Sequence, residues 1–331
     1  MTRLGYIGIS VGLALAVMLV YRFAGRHAEP VVVTLVPGPP QPRVSPEEAG
    51  IDPVAIESAV AYAGERGTRA LLIGRGGHLV FEKYWNGTTA DSLVDAGFAP
   101  ALLSLAAGSA MNDKLIINLD APVSNYIKEA AAPEAAVTLR QLLAQEAPGM
   151  SAGDSTDLLA LVLERATAQP YPTLIAERLW KPLEAGSLEF RAGDSDRRPK
   201  GVNAGCCVRA RVADWMRLGE LLTHDGVFEG NQLTPPHFVT LMLKATHKDS
   251  PRGFFTRVDG EFAAQDVAWL EGSDRQRLWL VPSLRLSILR IGDAPSKDWD
   301  EAMIPDSIIR GTSGWQPRKG EGTDPKLYAP H

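Results

Sequence analysis

ALLIGRGGHLVFEKYW, residues Ala70–Trp85, is the stretch on which the reading of the chain turns. Two short apolar runs flank Arg75-Gly76-Gly77, and glycines supply the backbone freedom that a tight hairpin turn requires. A second such pair, Arg277–Val281 and Arg285–Arg290, lies near the other end around Pro282-Ser283. Between the two hairpins the patterning is helical. Strands at both ends with helices between them predict one sheet assembled from the two ends of the chain and covered by a helical insertion, an α+β fold.

Ser45-Pro46-Glu47-Glu48 reads as a helix start, with a cap residue, a first-turn proline and acids facing the dipole. With Ile51, Val54, Ile56 and Val60 behind it, a helix to about Glu65 is expected. Pro100–Asn112 is almost entirely small or apolar, so that helix should be buried on most faces. Further helices fit Leu139–Gln145, Thr156–Ala168, Tyr171–Leu179 and Val212–Thr223. No internal repeat is visible.

With 331 residues, 45% of them hydrophobic, the chain can build a large core and its body should not be disordered. A net charge of −5 argues against a nucleic-acid partner. The only cysteines, Cys206 and Cys207, exclude a disulfide-stapled scaffold and are too few for a structural zinc site. The six histidines stand singly, so neither a metal nor a cofactor is expected.

The ends differ from the body. Leu4–Tyr21 is eighteen residues without a charge, bounded by Arg3, Arg22 and Arg26. At about 1.5 Å per residue it covers roughly 27 Å, enough for a bilayer core. Residues 1–27 therefore read as a single transmembrane anchor, with the lipid bilayer as partner through Leu4–Tyr21. The alternative is a cleaved secretory signal, against which stand the length of the run and the weak site at Arg26-His27-Ala28. The flanking charges are nearly balanced and do not fix the orientation. Either way the body is expected at a membrane, on the periplasmic side. Residues 28–44 carry five prolines and read as a semi-rigid spacer, with a loop packed on the domain as the alternative. The globular domain is assigned to 45–310, and 311–331 to a polar C-terminal tail.

Several segments together resemble the β-lactamase-related serine hydrolases, the superfamily of class C β-lactamases, DD-peptidases and 6-aminohexanoate-oligomer hydrolases. They are SPEEAGIDP (45–53), LLIGRGGHLVFEKYWNG (71–87), KLIINLDAPVSNYI (114–127), VTLRQLLAQ (137–145), LALVLERATAQPYPTLIAERLWKPL (159–183), GCCVRARVADWMRLGELL (205–222) and QRLWLVPSLRLSILRIG (276–292). Gly205-Cys206-Cys207, followed by Asp214-Trp215 and Arg217-Leu218-Gly219, looks most like the aminohexanoate-hydrolase branch. The resemblance implies a β-lactamase/transpeptidase-like fold: an antiparallel sheet flanked by helices, a helical lobe and a cleft between them. It also implies a mechanism. A serine opening the buried helix is acylated, a lysine one turn later shares its face, a tyrosine relays protons, and a His/Lys-x-Gly strand lines the cleft.

This chain departs from that pattern at each place. The Ser-x-x-Lys element falls on Gly97-Phe98-Ala99-Pro100, and no serine in the chain is followed by lysine three positions later. The tyrosine element falls near Ser151-Ala152-Gly153-Asp154, and the strand element on Ser273-Asp274-Arg275. These substitutions remove chemistry without breaking the fold. Pro100 sits in a first turn, where a missing N–H has no intrahelical partner to lose, and Gly97 is an acceptable cap. The degenerate motif positions are thus Gly97, Pro100, Ala152, Asp154, Ser273 and Arg275, and no catalytic residue is assigned. Asp154 and Arg275 are expected at the old cleft, as ligand-binding groups or as an ion pair that fills it.

Other residues read more plainly. Cys206 and Cys207 should pack in the core, a vicinal disulfide being strained and a replacement nucleophile needing a base nearby. His78 belongs to a hairpin turn, His224 to a helix C-terminus, and His237 to a helix start after Pro235-Pro236. Gly311-Thr312-Ser313-Gly314 is not a nucleophile elbow. Arg197-Arg198-Pro199-Lys200 reads as a solvated loop, and Trp85, Trp269 and Trp279 as strand tryptophans in the core or cleft wall.

The expectation is a membrane-anchored, catalytically degenerate hydrolase homologue. Its role would be binding, scaffolding or that of an accessory subunit, with a peptidoglycan-type ligand or a membrane protein complex as partner. The competing expectation is an active amide or ester hydrolase working through Cys206, Ser104 or Ser151 on 6-aminohexanoate oligomers, β-lactams or peptidoglycan peptides.

Overall fold

In the computed structural model, which describes residues 29–193 and 201–317, both hairpins form and join in one sheet. The regular elements begin with β1 (Val31–Val33), α1 (Pro53–Gly64), β2 (Thr68–Arg75), β3 (His78–Tyr84), β4 (Leu93–Asp95) and α2 (Ala99–Asn112). Then come α3 (Leu139–Leu143), α4 (Ala152–Thr167), α5 (Tyr171–Ile175), β5 (Leu188–Phe190), β6 (Val208–Arg211) and α6 (Val212–Thr223). The last are β7 (Val227–Phe228), β8 (Asn231–Gln232), α7 (Pro236–Leu243), β9 (Ala268–Glu271), β10 (Arg277–Val281), β11 (Leu286–Gly292) and α8 (Met303–Arg310).

The main sheet is antiparallel throughout, in the order β3-β2-β11-β10-β9. Side chains alternate across it with period two. Leu71, Ile73, Trp269, Trp279 and Ile288 face one layer, where they pack with Ile56, Ala59, Ile304 and Ile308 of α1 and α8. Ala70, Leu72, Leu278, Leu280 and Leu289 face the other, where α6 and the helical lobe lie. Both faces are covered, which is why β2, β10 and β11 read as nearly unbroken apolar runs. Each aliphatic side chain so buried contributes about 1.5–3 kcal/mol. Helix α2 is buried along almost its whole length, as its small-residue composition requires. A second antiparallel sheet, β1-β5-β6-β4, carries the chain toward the start of α2.

Several boundaries depart from the sequence reading. Ser45–Gly50 forms turns, and α1 starts only at Pro53, because Asp52 supplies the better cap by accepting from the N–H of Val54 at 2.9 Å. Helix α4 begins at Ala152 rather than Thr156, capped by Ser151. Helix α5 passes into a π-helical turn over Ala176–Trp180. Trp269 and Trp279 face each other on β9 and β10, whereas Trp85 lies one residue past β3, half-buried against Gly64.

Within residues 31–44 the proline-rich segment is not a free spacer. Val31–Val33 pairs with β5, the N–H of Gly38 donates to Glu184 O, and Pro39 O accepts from buried Arg217 at 2.6 Å. Further on, Pro42 O accepts from the N–H of Leu79. Proline's missing donors are made good by its carbonyls, which bind the domain. The body also runs beyond Arg310: Gly311 O accepts from the N–H of Asp52, Arg75 donates to Ser313, and Trp315 donates to Ala263 O at 3.2 Å. The proposed anchor, Leu4–Tyr21, lies outside the described residues, as do Arg197–Lys200 and the end of the tail. Among the described residues no helix is long and apolar enough to cross a membrane.

Candidate functional site

Strand β4 delivers the chain to the head of α2. After Asp95 the backbone turns at Gly97, whose φ of +75° suits glycine and whose N–H donates to Asp95 Oδ1 at 2.9 Å. Helix α2 then begins without a side-chain cap, Phe98 being its boundary residue, and Pro100 occupies its first turn. The N–H groups of Ala101 and Leu102 donate to Phe98 O at 3.0 and 3.2 Å. Proline at position 100 therefore costs the helix no bond, as expected.

The opposing wall is the turn between β9 and β10. Gly272 N–H donates to Gln276 O, and Asp274 and Arg275 both take positive φ, 55° and 59°. Two buried arginines hold this shape. Arg277 donates through Nη1 to Gly272 O and Gln276 O, and through Nε to Glu301 Oε1 at 2.7 Å. Arg290 donates through Nη1 to Asp274 O at 3.0 Å and Arg275 O at 2.8 Å, and through Nη2 to Arg66 O. The two stand directly opposite across β10 and β11, an arrangement that like charges disfavour. Burial, then the neighbouring Arg277, push the Arg290 guanidinium down to about 10. What holds the pair in place is the set of turn carbonyls it satisfies, together with Glu301.

The two walls meet. A Cβ on Gly97 would stand 2.5 Å from the Cα of Gly272 and 3.3 Å from the N of Ser273, and a Cβ on Gly272 would strike the carbonyl oxygen of Ala96. Position 97, where the resemblance places a nucleophile, accepts no side chain in this packing. What remains is a cavity of about 70 Å³ over Gly97, Phe98, Pro100 and Ala101. Phe255 and Leu270 give it further apolar wall, and Gln145, Arg252, Arg257 and Glu271 its polar groups. Arg257 is engaged by Asp259 and lies 3.8 Å from Glu271, which also accepts from Arg277 at 3.3 Å.

Of the residues singled out from sequence, Gly97, Pro100 and Ser273 come together. The others do not join them. Ser151 caps α4, accepting from the N–H of Asp154 and donating to Asp154 Oδ2 at 2.6 Å; both, like Ala152, are exposed and outside the cavity wall. Arg275 is half exposed and pairs with Glu301 at 3.5 Å rather than reaching into the cleft. Gln145, Arg252, Arg257 and Glu271 were missed, because they come from loops and a strand end that carry no motif.

The alternative nucleophiles lie elsewhere. Cys206 and Cys207 are not core thiols: they are half-buried and joined to each other as a vicinal disulfide, with Arg191 Nη1 3.8 Å from Cys207 Sγ. A sulfur in a disulfide is not a nucleophile. Ser104 is fully buried inside α2, and its hydroxyl has no hydrogen-bond partner among the described residues. His78 Nδ1 lies 3.0 Å from Gly76 O in its hairpin, His224 Nδ1 lies 2.9 Å from Glu220 O at the end of α6, and His237 is exposed near the start of α7. Among the described residues no His, Cys, Asp and Glu side chains gather into a metal-holding group.

Known proteins share the fold. The Beta-lactamase family model matches residues 56–205. A putative 6-aminohexanoate-dimer hydrolase from Bacillus anthracis superposes with a TM-score of 0.65 at 16% identity, over 86% of this chain and 90% of that one. A class C β-lactamase from Rhodobacter sphaeroides gives 0.58 at 13% identity, over 79% and 98%. A penicillin-binding protein homologue from Caulobacter crescentus gives 0.57 at 14%, over 80% and 94%. No curated protein sequence matches the chain. The chain thus shares the fold of these proteins, and its residues 56–205 are similar to the Beta-lactamase family.

Proposed function

We propose that this chain is a catalytically degenerate member of the β-lactamase-related serine hydrolase superfamily, working by binding rather than by acyl transfer. The observation that carries this reading is the contact of Gly97 with Gly272, which leaves no room for a hydroxyl at the head of α2. Pro100 offers no amine one turn later, and the nearest tyrosines to Ser151 in sequence are Tyr126 and Tyr171. Losing a nucleophile and its base lowers turnover by on the order of a millionfold in other hydrolases, and this cleft lacks both. The apolar run Leu4–Tyr21 supports a membrane anchor, and the reading takes the body to be periplasmic. From there the domain would present its cleft to a peptidoglycan-type ligand, or its surface to a membrane protein complex as an accessory subunit.

The test is direct. Nitrocefin, p-nitrophenyl esters and aminohexanoate amides should all be left intact by the full-length protein, and a fluorophosphonate probe should leave every serine unlabelled by peptide mass mapping. Turnover abolished by a point substitution in the cleft, or a labelled serine there, would overturn the reading in favour of an active hydrolase.

A further inference from the structure

We infer that the Cys206–Cys207 disulfide is a thiol-exchange site: a dithiol opens it by attack on Cys206 Sγ, and Cys207 Sγ leaves as a thiolate beside the guanidinium of Arg191. The site lies at the end of the second sheet and stands whether or not the cleft performs acyl transfer. Its sulfurs act as electrophiles, not as nucleophiles.

The position of this bond does not suit a staple. A disulfide stabilises mainly by closing a loop in the unfolded chain, and here the two residues are neighbours, so no loop is closed. Their Cα atoms are 3.7 Å apart, the spacing that one peptide bond imposes, where ordinary disulfides span about 4.4–6.8 Å. Such a departure makes the bond more reducible, and reducible, reachable disulfides are the labile and regulatory ones. Both cysteines are half-buried rather than enclosed.

The surroundings give the exchange a direction. Arg191 directly follows β5, and its Nη1 lies 3.8 Å from Cys207 Sγ. A cation there stabilises a thiolate on Cys207, and a thiol of lower pKa leaves faster, so the bond breaks toward Cys207. Both flanks are held. Gly205 donates its N–H to Asn203 Oδ1 at 2.9 Å, a Cβ on it would stand 2.7 Å from Thr156 Oγ1, and Val208 opens β6. Between them Cys207 takes φ +67°, a conformation that a residue with a side chain seldom adopts. Its carbonyl accepts from the N–H of Arg191 at 3.2 Å, extending the β5–β6 ladder. Opening the ring releases the constraint on that φ, and the Arg191 N–H bond is the one it loosens.

The step balances in atoms and electrons. A thiolate of the dithiol bonds to Cys206 Sγ as the Cys206–Cys207 bond breaks, and the electron pair leaves on Cys207 Sγ. The second thiol of the reductant, deprotonated in turn, attacks the reductant sulfur of the mixed disulfide. That closes a cyclic disulfide and releases Cys206 as a thiolate. Two electrons pass from the dithiol to the cysteines, and its two protons go to them or to solvent.

Treating the full-length protein with dithiothreitol in the absence of denaturant, quenching with iodoacetamide and mapping by tandem mass spectrometry tests this. Before treatment neither cysteine should be alkylated. Afterwards both should be, at a rate at least about tenfold above that of global unfolding followed by tryptophan fluorescence. With the monothiol 2-mercaptoethanol, the trapped mixed disulfide should sit on Cys206 and the alkyl group on Cys207. Arg191→Gln should slow opening at least about threefold with an unchanged melting temperature, and Arg191→Lys should restore most of the rate. Amide exchange at Arg191 should quicken in the reduced protein while β2 and β3 stay unchanged. Two free thiols under oxidised glutathione, opening only at the rate of unfolding, a mixed disulfide on Cys207, full rate in Arg191→Gln, or unchanged exchange at Arg191 would overturn the inference. The mapping needs no substitution, so it decides the matter even if Arg191→Gln fails to fold.

Discussion

Gly97 and Gly272 approach each other so closely that a single methyl on the former would stand 2.5 Å from the Cα of the latter. Restoring the lost motif should therefore damage the protein rather than revive it. In Gly97→Ser the new side chain overpacks the contact, at about 1–3 kcal/mol, and forces a non-glycine residue to φ +75°, at about 1–2 kcal/mol more. Urea denaturation should show the loss, and Gly97→Ser combined with Pro100→Lys should still leave nitrocefin intact. A double variant of parental stability that turns over substrate would contradict the contact.

Arg290 holds the turn that presents Gly272. Methionine there fills similar volume but leaves Asp274 O and Arg275 O without their donor. Hydrogen bonds from charged groups are worth about 1.5–3 kcal/mol, and a loss of that order is expected for Arg290→Met. Faster amide exchange over residues 272–276, with β2 and β3 unchanged, would place the effect at the turn.

Asp95 predicts a pH dependence. Burial raises its carboxyl above the usual 3.8, against the Gly97 N–H bond and nearby arginines that pull it down. A carboxyl whose folded value exceeds its unfolded one binds its proton more tightly in the native state. Its stabilising share is complete below pH 3.8 and is lost as pH rises through the folded value. Asn keeps the acceptor for Gly97 without the charge. Asp95→Asn should thus gain stability relative to the parent at pH 7.5, and the gain should shrink toward pH 4. Urea midpoints across that range decide it, and a constant difference would count against the argument.

Ser104 should behave as a buried fault, not a hidden nucleophile. Its hydroxyl is enclosed and, among the described residues, unpartnered, a condition that costs about 1–3 kcal/mol. Ser104→Ala should raise the midpoint of thermal unfolding, and its mass should be untouched by serine-reactive probes in the parent. Destabilisation would mean that the hydroxyl has a partner in solution.

The fold was legible because its signals are local. The hairpins at Gly76-Gly77 and Pro282-Ser283, the small-residue run of α2 and the bounds of α6 are written in neighbouring residues. Short β9 was not delimited, since Ala268–Glu271 offers no turn chemistry of its own and is fixed by pairing with β10. At the site the balance reverses. Gly97 and Pro100 could be named from the missing motif, but their meaning depends on Gly272, far away in the chain. Gln145 and Arg252 had no signal at all, because a free side chain in a loop looks the same whether it faces water or a cavity. For Arg275 the sequence leaves open a ligand-binding group or an ion pair, and its partner, Glu301, comes from a distant part of the chain.

The order of strands also governs when the protein can assemble. Strand β2 finds its inner neighbour only in β11, which follows the entire helical insertion. A nascent chain must therefore carry Leu71–Ile73 on an unzipped edge until Gly292 emerges, since a lone hairpin has little independent stability. Premature termination anywhere in the insertion would yield not a smaller working unit but a sticky, aggregation-prone fragment.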